Sequence, residues 1–121
     1  MPEKIRVNGS RVIAFNIPLK PKAKGRPRAG KNGMYTDKAT REYEDAIRQA
    51  YVDLGLPKLE GNLQVTANFQ KDNIWVQIIT VKEESKLRGD VDNYVKSLLD
   101  GLNGVAYDDD KQIVNIHAYK R

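Results

Sequence analysis

Residues 62–81 read NLQVTANFQKDNIWVQIITV, and this stretch decides the fold. In its first half Leu63, Val65, Ala67 and Phe69 alternate with polar residues, the period of a strand with one buried face. Gln70, Lys71, Asp72 and Asn73 have turn composition. The second half, residues 74–81, is apolar on both faces apart from Gln77 and Thr80, which marks an inner strand or part of a subunit interface. Trp75 within it reads either as core or as a dimer contact. Two antiparallel strands joined by a tight turn therefore stand at the middle of the chain.

Upstream, helical periodicity takes over. Asp37 is a suitable N-cap for a helix running to Leu54, with Tyr43, Ala46, Ile47, Ala50, Tyr51 and Leu54 on its apolar face and Gly55 and Pro57 behind it to stop it. The tyrosines have the spacing of a buried stripe rather than of a stacking platform. Residues 11–17, RVIAFNI, place Ile13, Phe15 and Ile17 on one face of a strand that Pro18 ends. Residues 1–9 are expected to be a flexible tail.

Between strand and helix lies a basic segment, residues 18–35. Lys20, Lys22, Lys24, Arg26, Arg28 and Lys31 crowd a stretch with no acid, and its prolines and glycines exclude a helix interior or central strand. A solvated loop held open by self-repulsion is the ordinary reading of such a segment. A phosphate-binding arm is the better one here, because the chain also carries an acidic candidate for a metal site.

That region is residues 88–113, RGDVDNYVKSLLDGLNGVAYDDDKQI. At about 100° per residue, Asp92, Asn93, Lys96, Asp100 and Asn103 share one helix face, while Tyr94, Val95, Leu98, Leu99 and Leu102 share the other. Asp90 and Asp92 sit where an aspartate caps orphan amides and suits the helix dipole. Capping accounts for one of them, not for both together with Asp108, Asp109 and Asp110. Carboxylates so gathered repel one another and are stabilised by a divalent cation among them. On spacing alone, a metal site and a solvated acidic patch stand level. Lys96 is open to two readings as well. It either pairs with a carboxylate one turn away, for some tenths of a kcal/mol, or points at the anionic oxygen of a bound phosphodiester.

Composition narrows the chemistry. The chain has 121 residues, no cysteine and one histidine, His117, so a metal would be held by oxygen, favouring Mg2+ with Mn2+ as substitute over zinc. A formal charge of +5 and a pI near 9.4 suit a polyanionic partner without requiring one. No long apolar run or signal-peptide pattern is present, so a soluble cytoplasmic protein without membrane contact is expected. A charged loop, residues 82–88, leads into the acidic helix, and residues 112–119 are expected to form a closing strand. The expectation is a single domain over residues 1–121, of α+β class, with two helices packed on a small mixed sheet in the order β-α-β-β-α-β. Right-handed crossovers would bring Asp90 and Asp92 to the loop holding residues 108–110.

The order GDVDNYVKSLLDGLNGV followed by YDDDKQI resembles the signature of the RusA family of Holliday junction resolvases. Upstream, FNIPLKPKAKGRPR and YTDKATREYEDAI extend the resemblance to nearly the whole chain from Phe15. The resemblance implies that Asp90 and Asp92 are the two aspartates of a D-x-D-N motif and Lys96 the essential lysine. It makes Asp110 the third catalytic aspartate, with Asp109 as the alternate because this run has three aspartates where the family often shows two. It further implies a homodimer that resolves four-way junction DNA by paired symmetric nicks in recombination and repair, in a bacterial or prophage setting. Lys20, Lys22, Lys24, Arg26, Arg28, Lys31 and Arg88 are the expected DNA contacts.

Two other classes compete. A nucleic-acid-binding module without catalysis would explain the basic arm and leave the acidic cluster unexplained. A different metal-dependent phosphoryl-transfer enzyme lacks its usual marks: an EF-hand loop needs glycine where Val95 stands, and a D-x-D-x-T phosphatase needs threonine where Tyr94 stands.

Overall fold

The computed structural model describes residues 3–7, 10–24, 28–30, 33–35 and 37–121, with side chains described for 11–24 and 37–121. In chain order the elements are β1 (Glu3–Val7), β2 (Ser10–Ile17), β3 (Arg28–Gly30), β4 (Gly33–Tyr35), α1 (Lys38–Asp53), β5 (Asn62–Gln70), β6 (Asn73–Val81), α2 (Val91–Leu102) and a one-turn 3-10 helix, Asp110–Gln112. They fall into two units, Met1–Val81 and Lys82–Arg121.

In the first unit the central hairpin forms as its alternation predicts. β5 pairs with β6 from Gln70↔Asn73 to Asn62↔Val81, leaving Lys71 and Asp72 as the connection. The apolar β6 is an inner strand, because its other edge pairs with β2, Phe15 opposite Val76 and Ile17 opposite Ile74. β1 adds to β2, giving the order β1-β2-β6-β5 with β5 at one edge. Every pairing is antiparallel, so the mixed sheet expected from the sequence is corrected. β2 and β5 do run in the same direction, but β6 lies between them and no parallel ladder forms.

Directly opposed residues share a face, and the register therefore puts Ile13, Phe15, Ile17 and Ile74 together as the buried core. Helix α1 covers the β2 side of this face with Ile47, Ala50, Tyr51 and Leu54. The Tyr51 ring meets Phe15 edge-on with centroids 5.2 Å apart, and its hydroxyl donates to the Pro57 carbonyl. Burial raises the Tyr51 phenol above its ordinary pKa, with Arg11 opposing the shift. Ala46, expected on the buried stripe, is exposed. The helix starts as predicted, with the Asp37 carboxylate accepting from the Thr40 amide at 2.7 Å. It stops at Leu54, after which Gly55 takes a φ of +69° that a side chain would resist.

Three expectations are corrected. Residues 3–7, read as tail, form β1, which pairs with β2 up to Val7↔Ser10. Residues 1, 2, 8 and 9 of the expected tail lie outside the described residues. The basic segment 18–35 is irregular over residues 18–24 but contains the short β3–β4 ladder, Arg28↔Tyr35 to Gly30↔Gly33. Residues 113–121 form no strand, although residues 112–119 have strand-like composition. Apolar composition does not supply a hydrogen-bonding partner, and without a ladder no strand forms. The element order β-α-β-β-α-β accordingly gains strands before α1 and loses the last one.

Candidate active site

The second unit carries the acidic region. Helix α2 begins at Val91, with Asp90 as N-cap in extended geometry, φ −73° and ψ 141°. The Asp90 carbonyl accepts the first helical amides, from Asn93 at 3.1 Å and Tyr94 at 3.2 Å. Its side chain makes no capping hydrogen bond, in contrast to Asp37 of α1. Capping therefore does not occupy the Asp90 carboxylate. Asp92 lies in the first turn, and both are exposed. Carboxylates at this end of a helix are stabilised by its partial positive charge.

The peptide just before Asp90 is held from both sides. The Gly89 amide donates to the Tyr94 hydroxyl at 3.1 Å, and the Lys120 ammonium donates to the Gly89 carbonyl at 3.1 Å. A side chain at Gly89 would push the Tyr94 ring aside, since a Cβ there would lie 2.9 Å from the end of that ring. Neither Tyr94 nor Lys120 was singled out in the sequence as part of a site. Tyr94 carried the spacing of an apolar face, and Lys120 lay beyond the expected last strand. A tyrosine five residues after a glycine carries no signal of such a contact in the sequence.

Lys96 lies exposed on α2, and among the described residues no ion pair involves it. The pairing with Asp92 or Asp100 that would make it an ordinary helix-surface residue is thus not formed. Asp100 and Asp110 instead act together on Tyr107. Desolvation raises the Tyr107 phenol above its ordinary value, and the negative charges of Asp110 and then Asp100 push it the same way. The Tyr107 hydroxyl donates to the Leu99 carbonyl at 2.7 Å, tying the loop after α2 back onto the helix. Gly104 makes the loop possible, with φ +85° and its amide on the Tyr107 carbonyl at 2.8 Å.

The triple aspartate run is divided by the turn that follows it. Asp109 caps the 3-10 helix, accepting from the Lys111 amide at 2.8 Å, and Gln112 reaches back to accept from the Asp108 and Asp109 amides at 2.8 and 3.1 Å. The Lys111 amide, a side-chain hydrogen bond with Asp110 and the Lys111 charge hold the Asp109 carboxyl below its usual range, against a smaller desolvation effect. The capping duty falls on Asp109, while Asp110 occupies the first turn beside it.

These two acidic positions do not close into one cage. Among the described residues no group of three or more His, Cys, Asp or Glu is placed to hold a metal ion. The expected meeting of Asp90 and Asp92 with a loop entering a last strand is absent along with that strand. A carboxylate pair nevertheless fits a magnesium ion, which keeps waters and is commonly bound by one or two carboxylates plus substrate phosphate rather than by an all-protein cage. The donor chemistry, oxygen throughout, fits as well.

In the first unit, Lys20, Lys22 and Lys24 are exposed. The strand-to-helix segment is anchored by the Tyr43 hydroxyl donating to the Lys20 carbonyl at 2.6 Å. Lys24 lies 3.4 Å from Glu44 and Lys20 lies 4.0 Å from Asp72, both pairs well solvated. Arg88, in the second unit, is exposed. Arg26 and Lys31 lie outside the described residues, and for Arg28 only the backbone, in β3, is described.

Residues 18–121 match the family described as endodeoxyribonuclease RusA, and the chain belongs to that family. The match runs through both units. No curated protein and no solved structure gives a match. At family level the activity is that of an endodeoxyribonuclease, a Holliday junction resolvase acting on junction DNA. Among the described residues, no helix is long and apolar enough to cross a membrane.

Proposed function

We propose that this protein is a metal-dependent crossover junction endodeoxyribonuclease that resolves four-way DNA junctions by paired symmetric nicks in recombination and repair. The observation that carries the reading is the Asp90 carboxylate, placed at the N-cap of α2 yet making no capping bond, with Asp92 in the turn behind it. A structural aspartate at that position would be spent on an amide, as Asp37 is.

In this reading Asp90 and Asp92 hold Mg2+, or Mn2+ in its place, and Asp110 joins them as third ligand when the ion binds, since among the described residues no three acidic groups form a cage without the ion. Asp109 remains the alternate, disfavoured because its carboxylate is committed to the Lys111 amide. The ion, when bound, supplies Lewis acidity toward the phosphodiester and a water of lowered pKa. Lys96 neutralises charge building on the phosphate oxygens, a task for which an ammonium outside any ion pair is suited. Lys20, Lys22, Lys24, Arg26, Arg28, Lys31 and Arg88 bind the DNA backbone and set affinity without reading sequence.

Two matched nicks on one junction require two sites, and a homodimer in the cytoplasm of a bacterial or prophage-bearing cell supplies them. The exposed Leu63, Val65 and Phe69 on edge strand β5 are the kind of apolar surface that a second copy covers. The experiment is to mix the protein with a synthetic four-way junction and with a linear duplex of matching sequence, in Mg2+ or in chelator. Paired nicks confined to the junction with Mg2+ are expected. Binding of both DNAs with no cleavage under any metal would favour a non-catalytic module instead.

A further inference from the structure

We infer that Tyr94 and Lys120 are positioning residues that fix the Asp90 carboxylate by clamping the Gly89 peptide; this rests on the reading of Asp90 as a metal ligand. An aspartate has two side-chain torsions, so the direction of its carboxylate is set largely by the backbone that carries it. For Asp90 that backbone is defined on its helical side by the amides of Asn93 and Tyr94. On the other side nothing helical holds it, and the two contacts at Gly89 take that role. Tyr94 Oη accepts from the Gly89 amide, and Lys120 Nζ donates to the Gly89 carbonyl, each at 3.1 Å.

The two contacts complement each other. Tyr94 reaches back from the first turn of α2, so its bond locks the approach of the chain into the helix. Lys120 comes from the far end of the same unit, 31 positions away in sequence, and holds the carbonyl of the very peptide that joins Gly89 to Asp90. Glycine at position 89 lets the Tyr94 ring come this close, since a Cβ would collide with its Cζ and Oη at 2.9 Å. Tyr94 thus has a job besides apolar packing, which agrees with its being 44% exposed. Groups that hydrogen-bond around a ligating carboxylate commonly change metal affinity when removed, without themselves touching metal or substrate.

The test compares wild type with Tyr94→Phe, Lys120→Met, Lys120→Arg and Gly89→Ala. Three quantities are read: Mn2+ affinity of the DNA-free protein from the free-ion electron paramagnetic resonance signal, single-turnover junction cleavage across a Mg2+ titration, and the thermal midpoint. Tyr94→Phe and Lys120→Met are expected to weaken Mn2+ about tenfold and to raise the Mg2+ midpoint of cleavage by the same factor. Their rate at saturating Mg2+ and their thermal midpoint should stay as in wild type. Gly89→Ala, which displaces the ring by another route, should reproduce Tyr94→Phe, and Lys120→Arg, which keeps a donor, should restore much of the affinity. A fall in rate that is equal at all Mg2+ concentrations, or unchanged Mn2+ affinity in both deletions, would overturn the clamp. Asp90→Asn separates the two levels. If it loses Mn2+ while the clamp variants keep it, the clamp alone is wrong; if wild type itself binds no Mn2+, the metal reading falls and the clamp with it.

Discussion

Lys96 is the residue at which a surface role and a catalytic role differ most in consequence. If the lysine were a helix-surface ion pair, its removal would cost a few tenths of a kcal/mol and little else. No such pair is formed among the described residues. Lys96→Ala is therefore expected to leave the thermal midpoint near that of wild type and to lower single-turnover cleavage about a hundredfold or more, as for loss of one charge-stabilising donor. Lys96→Arg should not restore the rate, because a guanidinium keeps the charge but is broader, flatter and unable to take up a proton-transfer role. Near wild-type turnover in Lys96→Ala at saturating protein would end the catalytic assignment. The acidic residues give a matching prediction. Asp90→Asn, Asp92→Asn and Asp110→Asn should each abolish cleavage while junction binding holds or tightens, since each removes a proposed ligand and a charge that repels phosphate. Gel-shift affinities and nicking assays on the same preparations check both halves, and loss of binding in all three would mean that the carboxylates serve folding.

Among the elements, the turn after α2 is capped by a titrating group. Asp109 has its carboxyl held below its ordinary value of 3.8, chiefly by the Lys111 amide. A depressed carboxylate stabilises its surroundings above its unfolded pKa, and that contribution is lost as pH falls through the lower folded value. The Asp109–Gln112 turn should therefore hold fully at pH 5 and above and loosen only below about pH 3.8. Amide exchange at Lys111, measured from pH 6 to pH 3, should show this, and early loosening near pH 5 would contradict the cap. The core strand behaves differently: Ile13 is fully buried, and Ile13→Ala should cost about 2–5 kcal/mol in chemical unfolding. That strand was legible because burial writes an alternation into Ile13, Phe15 and Ile17, and β5 carries the same alternation in Leu63, Val65 and Phe69, although the half-buried strand expected there is exposed along its whole length. Helix α1 was legible because Asp37 and Gly55 mark its ends. What alternation cannot encode is which strand lies beside which, so the antiparallel order and the unpaired residues 113–121 were not readable. At the site, aspartates and lysine declare themselves by type. The Gly89 clamp does not, because Tyr94 fits an apolar stripe equally well.

Across the whole molecule, charge is divided between two tasks. The chain is +5 overall, yet residues 88–113 hold Asp90, Asp92, Asp100, Asp108, Asp109 and Asp110, and in the proposed function the basic segment 18–35 offsets this acidic region in the approach to DNA. Its lysines lie in a strand-to-helix connection whose backbone is pinned by Tyr43 to Lys20, and their ion pairs with Glu44 and Asp72 are solvated enough to exchange for phosphate at little cost. Changing Lys22, Lys24, Arg26 and Arg28 together to glutamine removes four positive charges and takes the formal net charge from +5 to +1. Binding should weaken for junction and duplex alike, since backbone contacts carry no shape or sequence information of their own. The slope of log affinity against log salt should flatten by about one unit for each phosphate that the protein no longer neutralises. Cleavage at saturating protein should persist, because none of the four is asked to touch the reacting phosphate. Fluorescence anisotropy titrations from low to moderate salt, run on both DNAs with and without the four substitutions, measure the slope directly. An unchanged slope would mean that the segment is only solvated surface, and that the side chains which hold DNA to this protein lie elsewhere.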